Sequence, residues 1–239
     1  MLYKEGMDLR KLKFDLHTHT NNSAKCGFMK PETLVRKAVS RGLDGIAITD
    51  HDTIKGALQA RKFETESFRI IVGCELMTRK GEIIGLFLNE EIKSRDPFEA
   101  IKEIHDQGGI VVVPHPFDEF RSSRFKNIES IVHLVDGIEV FNSRCLKDES
   151  NDAAREYAVK KQKEHGLAML AGSDAHFPNE VGHAYNEIIV EDDAYSEDPM
   201  QFLKESILDG NVNVRGRKSS LLNHAGTKLL KWKRRYVNY

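Results

Sequence analysis

The chain has 239 residues and a mass of 27.2 kDa, is 40% hydrophobic and 31% charged, and carries a formal net charge of -1. That balance excludes a disordered chain and gives no global field for nucleic acid or a membrane surface. No stretch approaches the roughly 20 apolar residues that span a bilayer, no signal-like run follows Met1 to Arg10, and Cys26, Cys74 and Cys145 are too sparse for a disulfide framework, so a cytoplasmic protein is expected.

At this length one large domain over residues 1–239 is expected. A first strand at Leu12 to Leu16 precedes a helix that Pro31 opens, Leu34, Val35, Ala38 and Val39 face inward, and Gly42 stops. Strands follow at Gly45 to Thr49 and Arg69 to Gly73; Leu76 to Lys80 is only a turn, so the third strand and the next, Glu82 to Leu88, read as a hairpin or an irregular connection. Asp96-Pro97 starts a helix with Phe98, Ile101 and Ile104 inward, ended by Gly108-Gly109, and Gly109 to Val113 is the fifth strand. A helix is predicted over Ile128 to Val135, a strand over Gly137 to Phe141, a helix over Asn151 to His165 closed by Gly166, and a seventh strand over Leu167 to Ala171. Ile71, Val72 and Val111 to Val113 have the unbroken apolar character of strands covered on both faces. Strand–helix alternation of this kind argues for a parallel sheet, open or closed.

Residues 191–239 read as a peripheral C-terminal helical extension, with an acidic loop at Glu191 to Asp198 and a helix from Met200 to Leu208 ending at Gly210. Within it Leu221 to Tyr239 sets Lys228, Lys231, Lys233, Arg234 and Arg235 beside Leu229, Leu230 and Trp232. Such a basic amphipathic helix either docks its apolar stripe on the domain or lies on nucleic acid or anionic lipid.

Metal-capable side chains recur at the C-terminal ends of the strands. His17 and His19 share a strand face because they are two residues apart. Asp50-His51-Asp52 follows the second strand, Cys74-Glu75 the third, His115 between two prolines the fifth, and Asp174-Ala175-His176 the seventh. Each alone has a plain reading as a cap, a turn or a surface group. Together they are the imidazole and carboxylate set that two or three divalent ions need. His105, His133, His165, His183 and His224 fall in helices or loops and read as surface or packing residues.

The ordered motifs His-Thr-His, Ile-Thr-Asp-His-Asp-Thr, Gly-Cys-Glu, Pro-His-Pro and Gly-Ser-Asp-Ala-His, between His17 and His176, resemble those of the PHP (polymerase and histidinol phosphatase) family. The resemblance implies an α/β fold, a distorted (β/α)7 barrel, with two or three divalent ions of manganese, iron or zinc. It implies that His17, His19 and Asp174 hold one metal, that Glu75 bridges to a second bound by His115, and that His51 and His176 belong to a third. Asp50 is read as orienting a histidine. Two departures bear on the third ion. Asn21 to Cys26 offers no carboxylate after the histidine pair, and Glu82 stands where relatives place a histidine, either as a hard-ion ligand or pointing outward. Catalysis is assigned to Glu75, Asp174 and His176, the last as ligand or leaving-group acid, and substrate contacts to Arg144, Asn142, and Arg121 or Arg124. The implied reaction is hydrolysis of a phosphorylated small molecule, a nucleotide or a short single strand by a metal-bridged hydroxide. Amide hydrolysis on the same ligands, or a metal-binding interaction module without activity, are the rival readings.

Overall fold

A computed structural model of the protein describes residues 9–23, 27–191, 195 and 197–237. Cys26 and most of the acidic stretch at 192–196 lie outside them, as do the side chains of Lys231, Lys233, Arg234 and Arg235. No described helix is long and apolar enough to cross a membrane.

Nine strands are present among the described residues: β1 (Leu9–Thr18), β2 (Gly45–Ile48), β3 (Arg69–Thr78), β4 (Gly81–Leu86), β5 (Ile110–Val113), β6 (Gly137–Asn142), β7 (Ala168–Gly172), β8 (Ala184–Glu191) and β9 (Val212–Gly216). Their order in the sheet is β7-β6-β5-β4-β3-β2-β1-β8-β9. The sheet is parallel apart from β4 and the added β8 and β9. β1, β2 and β3 run parallel, as do β5, β6 and β7, but β4 is antiparallel to both its neighbours. The cause is a hairpin between β3 and β4, which leaves Glu82 on the rim that carries the ends of the parallel strands. β3 runs on through Glu75 to Thr78, so the turn is only Arg79-Lys80 and not the expected Leu76 to Lys80, because Leu76 to Thr78 pair with Gly81 to Ile83.

The sheet curls until the segment after β7 meets β1. There Asp174 N–H donates to His17 O (2.7 Å) and His19 N–H donates to Ala175 O (3.0 Å). Below that junction β8 lies antiparallel along β1, and β9 pairs with β8, so the extension is not helical throughout. Asn186 of β8, fully buried, bridges the gap: its amide donates to Phe14 O (3.1 Å) and Ala171 O (2.7 Å) and accepts from Ala171 N–H (2.9 Å).

Alternation along the strands divides the core. Ala47, Ile71, Ile84, Val112 and Leu170 pack together with Leu12, Phe14 and Leu16 inside the barrel. Ile46, Ile48, Ile70, Val72, Val111 and Val113 face the outer helices. Those helices are α1 (Pro31–Ser40), α2 (Lys55–Ala60), α3 (Pro97–Asp106) and α4 (Asp148–His165). Asp96 caps α3 by accepting from Phe98 and Glu99 N–H, and Gly166 at φ +66° ends α4. Val39 and Phe98, expected inward, are exposed; Pro31 and Pro97, at the helix starts, are buried instead. The helix expected over Ile128 to Val135 is only a 3₁₀ turn, Ile128–Ser130, followed by turns. Its Ile128, Ile131, Val132 and Val135 are buried, and β-branched side chains of this kind give the helix little support.

α5 (Pro199–Leu208) sets Leu203 and Ile207 into the barrel interior cluster. In α6 (Leu221–Val237), among the described side chains, Leu221, Leu222, Leu229 and Trp232 are 60–83% exposed and Leu230 is half-buried, whereas Asn223 and Thr227 are buried, so the face that docks is mainly polar.

Candidate metal centre

The strand ends deliver the predicted residues to one place. His17 and His19 come from the end of β1 and just beyond it, with Nε2 atoms 3.1 Å apart. Glu75 of β3 points between them, its Oε2 3.5 Å from His17 Nε2 and 3.4 Å from His19 Nε2. Asp174 Oδ1 lies 3.2 Å from His19 Nε2 and 3.7 Å from His17 Nε2. On the other side of Glu75 stand His51 (Nδ1 to Oε2, 3.0 Å) and His115 (Nε2 to Oε1, 3.1 Å). Glu82, 4% exposed, points inward, with its carboxylate oxygens 3.8 Å from His51 Nδ1 and 3.7 Å from His115 Nε2.

Four overlapping sets bring ligand atoms within 4.8 Å of one another: His17, His19 and Glu75; His17, His115 and Asp174; His51, Glu75 and Glu82; and His19, His51 and His176. The sets fit divalent cations on two counts. Neutral imidazoles with carboxylates are the donors such ions prefer. Moreover Glu75 Oε2, Glu82 Oε2 and Asp174 Oδ1 are buried acceptors without a hydrogen-bond partner, a costly condition that a cation at their meeting point would relieve.

The supports around the cluster fix which ring nitrogen faces it. Glu139 of β6 accepts from His17 Nδ1 (3.0 Å) and from His115 N–H (2.8 Å), leaving His17 Nε2 turned inward. Sequence reading missed Glu139. The available signal was a carboxylate between Ile138 and Val140 in a buried strand. Asp50 acts at one remove, as Ser23 Oγ donates to it (2.8 Å) and lies 3.3 Å from His19 Nδ1. His176 Nδ1 is 2.8 Å from Asp174 O, which leaves Nε2 for the cluster.

Electrostatics follow the same geometry. Burial opposes the charge of Glu75, but His51 and His17 outweigh it and hold the carboxyl well below its usual range. Burial likewise opposes the charge of Asp174, yet Arg121 and His17 hold it low. Glu82 is pushed up by burial and by the charge of Glu75. Burial and the neighbouring His19 keep His176 well below the ordinary histidine range, so its imidazole is neutral at neutral pH. Two residues of the cluster occupy the left-handed backbone region, His115 at φ +32° and Asp174 at +54°, a local cost that the surrounding bonds must offset.

The expected substrate-contacting residues divide. Arg121 bonds Asp118 (Nε to Oδ2, 3.2 Å) and Asp174, and lines a cavity of about 300 Å³ above the cluster. Arg144 lines the same cavity, but its guanidinium is clamped by both oxygens of Glu180 (2.6 and 2.8 Å) and by Thr227 Oγ1 (2.9 Å). Asn142 is buried beneath the cluster with its amide spent: Nδ2 donates to Glu139 and Asp174, and Oδ1 accepts from Arg144 N–H. It supports the cluster and has nothing left for a substrate. Arg124 is outside the cavity lining. Glu180, also missed, holds Arg144 and accepts from the N–H groups of His176 and Phe177 (3.0 Å each).

The sequence pattern of the PHP domain matches residues 15–217. Two uncharacterised proteins of Methanocaldococcus jannaschii are similar: one is 37% identical over 161 residues, 63% of this chain and 93% of the relative. The other is 39% identical over 180 residues, 73% of this chain and 69% of the relative. A solved two-domain Bacteroides vulgatus protein, described as containing a predicted PHP-like metal-dependent phosphoesterase, has the same fold: TM-score 0.71 and 20% identity, over 88% of this chain and 66% of that one. With a match running from Asp15, two residues before the histidine pair, to beyond the last of the clustered ligands, this chain belongs to the PHP domain family.

Proposed function

We propose that the protein is a metal-dependent phosphoesterase acting on a small phosphorylated molecule or a nucleotide. The observation that carries this reading is the convergence of three unpartnered buried carboxylate oxygens with the imidazoles around them, directly under an arginine-lined cavity. His17, His19, Glu75, His115 and Asp174 would hold two ions, and His51, Glu82 and His176 would complete a third position. When bound, such ions supply Lewis acidity toward phosphoryl oxygens and acidify coordinated water.

The chain's own residues do the rest. Arg121, beside Asp174 and open to the cavity, binds phosphoryl oxygens and balances charge that builds there. Asn142 and Arg121 both take Asp174 Oδ2, which keeps Oδ1 aimed at the histidine pair. The neutral state of His176 and the engagement of its Nδ1 favour a ligand role over a leaving-group acid. A cavity of about 300 Å³ is at the small end of ligand pockets, which favours a compact substrate over a polymer lying along the surface.

The test is a phosphoester screen with manganese, iron and zinc in parallel, alongside metal analysis of the purified protein. We expect bound metal, turnover of at least one phosphoester, and a loss of about 100-fold or more in His17→Ala. Protein that retains no metal in chelator-free buffer and hydrolyses nothing in the screen would rule the reading out.

A further inference from the structure

α6 is oriented against its own composition. Burying a Leu side chain is worth about 2 kcal/mol, so a free-standing helix of this sequence should turn Leu222, Leu229 and Trp232 inward. Instead these are exposed, and the face toward the protein carries Asn223, His224, Thr227 and Lys228 at helical spacing. Its described attachments are local to the site and mostly polar: Thr227 Oγ1 accepts from Arg144 and Asn223 Oδ1 from Asn179 (3.2 Å), while the Phe177 ring packs close to Gly226. Three residues of this face, His224, Thr227 and Lys228, line the cavity that opens on His51, Glu82 and His176.

The charges of the cavity then differ in how far they are committed. Arg144 is paired with Glu180, and Arg121, which serves the phosphoryl end, with Asp118 and Asp174. Among the described residues no carboxylate pairs with Lys228, which is exposed at the rim. His224, whose pKa is lowered to about 4 by burial and by Arg144 and Arg121, is a neutral hydrogen-bonding group there. The apolar Phe120 and Leu146, both solvent-exposed, also line the cavity.

We propose that α6 is the substrate-recognition wall of the site, and that Lys228, assisted by His224, takes a second anionic group of a substrate whose phosphoryl end meets the metal centre. The proposal rests on the phosphoesterase reading above for which end lies at the floor. It assigns the substrate to a class: compact phosphate esters bearing a further carboxylate or phosphate, separated from the first by a short apolar or sugar-sized spacer. Lys228 is thus a specificity residue and takes no part in bond cleavage.

Non-hydrolysable probes test this on the metal-loaded full chain. ω-Carboxyalkylphosphonates with two to four methylenes are compared by calorimetry with alkylphosphonates of equal length, so that each pair differs only in the distal carboxylate. One charge-assisted contact predicts that at least one carboxylated probe binds about tenfold more tightly than its partner. That ratio should fall to near one in Lys228→Gln, return in Lys228→Arg, and persist in Lys102→Gln, a lysine paired with Asp106 on α3. A structural loss would weaken both members of a pair alike and leave the ratio standing. No preference at any spacer length, or a preference that survives Lys228→Gln, would overturn the proposal. A Lys228-dependent preference in protein that turns over no phosphoester would uphold the recognition wall and defeat only the hydrolase reading.

Discussion

Glu139 shows how one carboxylate can govern two ligands. It accepts from His17 Nδ1 and from His115 N–H, so it sets both the tautomer of the first imidazole and the strained backbone of the second. In Glu139→Gln the amide can donate where the carboxylate accepts, which drives the His17 proton to Nε2, the atom facing the cluster. Removing such a support typically costs 10- to 100-fold in metal affinity, and we expect a loss in that range, measured by competition against a chelator of known affinity. His183 makes a separate prediction about pH. It sits next to no ligand, its Nδ1 is buried without a partner, and burial with Arg217 and Arg41 lowers its pKa to about 4. Because the folded value lies below the unfolded one, near 6.5, the unfolded chain binds the extra proton between them. This contribution to stability is therefore complete above about pH 6.5 and is lost as pH falls toward 4. Urea unfolding across that window should show a slope that is shallower in His183→Gln than in the parent, and identical slopes would exclude His183 as its source.

At the scale of elements, the site depends on strands approaching closely at their rim ends. A Cβ on Gly172, at the end of β7, would lie 2.2 Å from His17 Cβ and 2.5 Å from Glu139 Oε1. Neither neighbour can retreat, since His17 is tied to Glu139 and Glu139 to the His115 backbone. Gly172→Ala should therefore cost about 1–3 kcal/mol of stability by overpacking, together with a fall in bound metal at elemental analysis; normal metal content would show that the rim is softer than the packing implies. The ligands at the strand ends were legible in sequence because a strand that is buried throughout and ends in His, Asp or Glu has few other reasons to do so. Glu82 was ambiguous because facing depends on the register of β4 in its hairpin, which a single sequence does not specify. Glu139 went unnoticed because it interrupts an apolar run in mid-strand rather than ending it. β8 and β9 escaped for a similar reason: Tyr185, Asn186 and Glu187 break the apolar pattern, and the pairing that makes β8 a strand comes from β1, more than 160 residues away in the chain. The orientation of α6 was illegible because amphipathicity predicts which face is apolar, and only tertiary contacts decide which face meets the protein.

Seen whole, the molecule is a barrel with an asymmetric seam. At the rim the segment after β7 hydrogen-bonds directly to β1, and this junction carries His17, His19 and Asp174, so closure and assembly of the centre are one event. Farther down, β8 occupies the edge of β1 that β7 would otherwise use, and the two barrel strands cannot pair. Asn186 substitutes for the missing ladder by bonding Phe14 O on one side and both backbone groups of Ala171 on the other. Only a side-chain amide supplies two donors and an acceptor in so small a volume. Asn186→Leu keeps the bulk but strands three buried backbone groups, each costing about 1–3 kcal/mol when unmet. We expect a total loss of roughly 3–5 kcal/mol in urea unfolding, since the groups share one relaxation. Asn186→Asp should be nearly as damaging at neutral pH, because a carboxylate can accept from Ala171 N–H but cannot donate to the two carbonyls. Since the seam runs straight down from the metal junction, both variants should also lose metal affinity although Asn186 touches no ligand; an unchanged unfolding midpoint in both would mean that the rim contacts alone close the barrel.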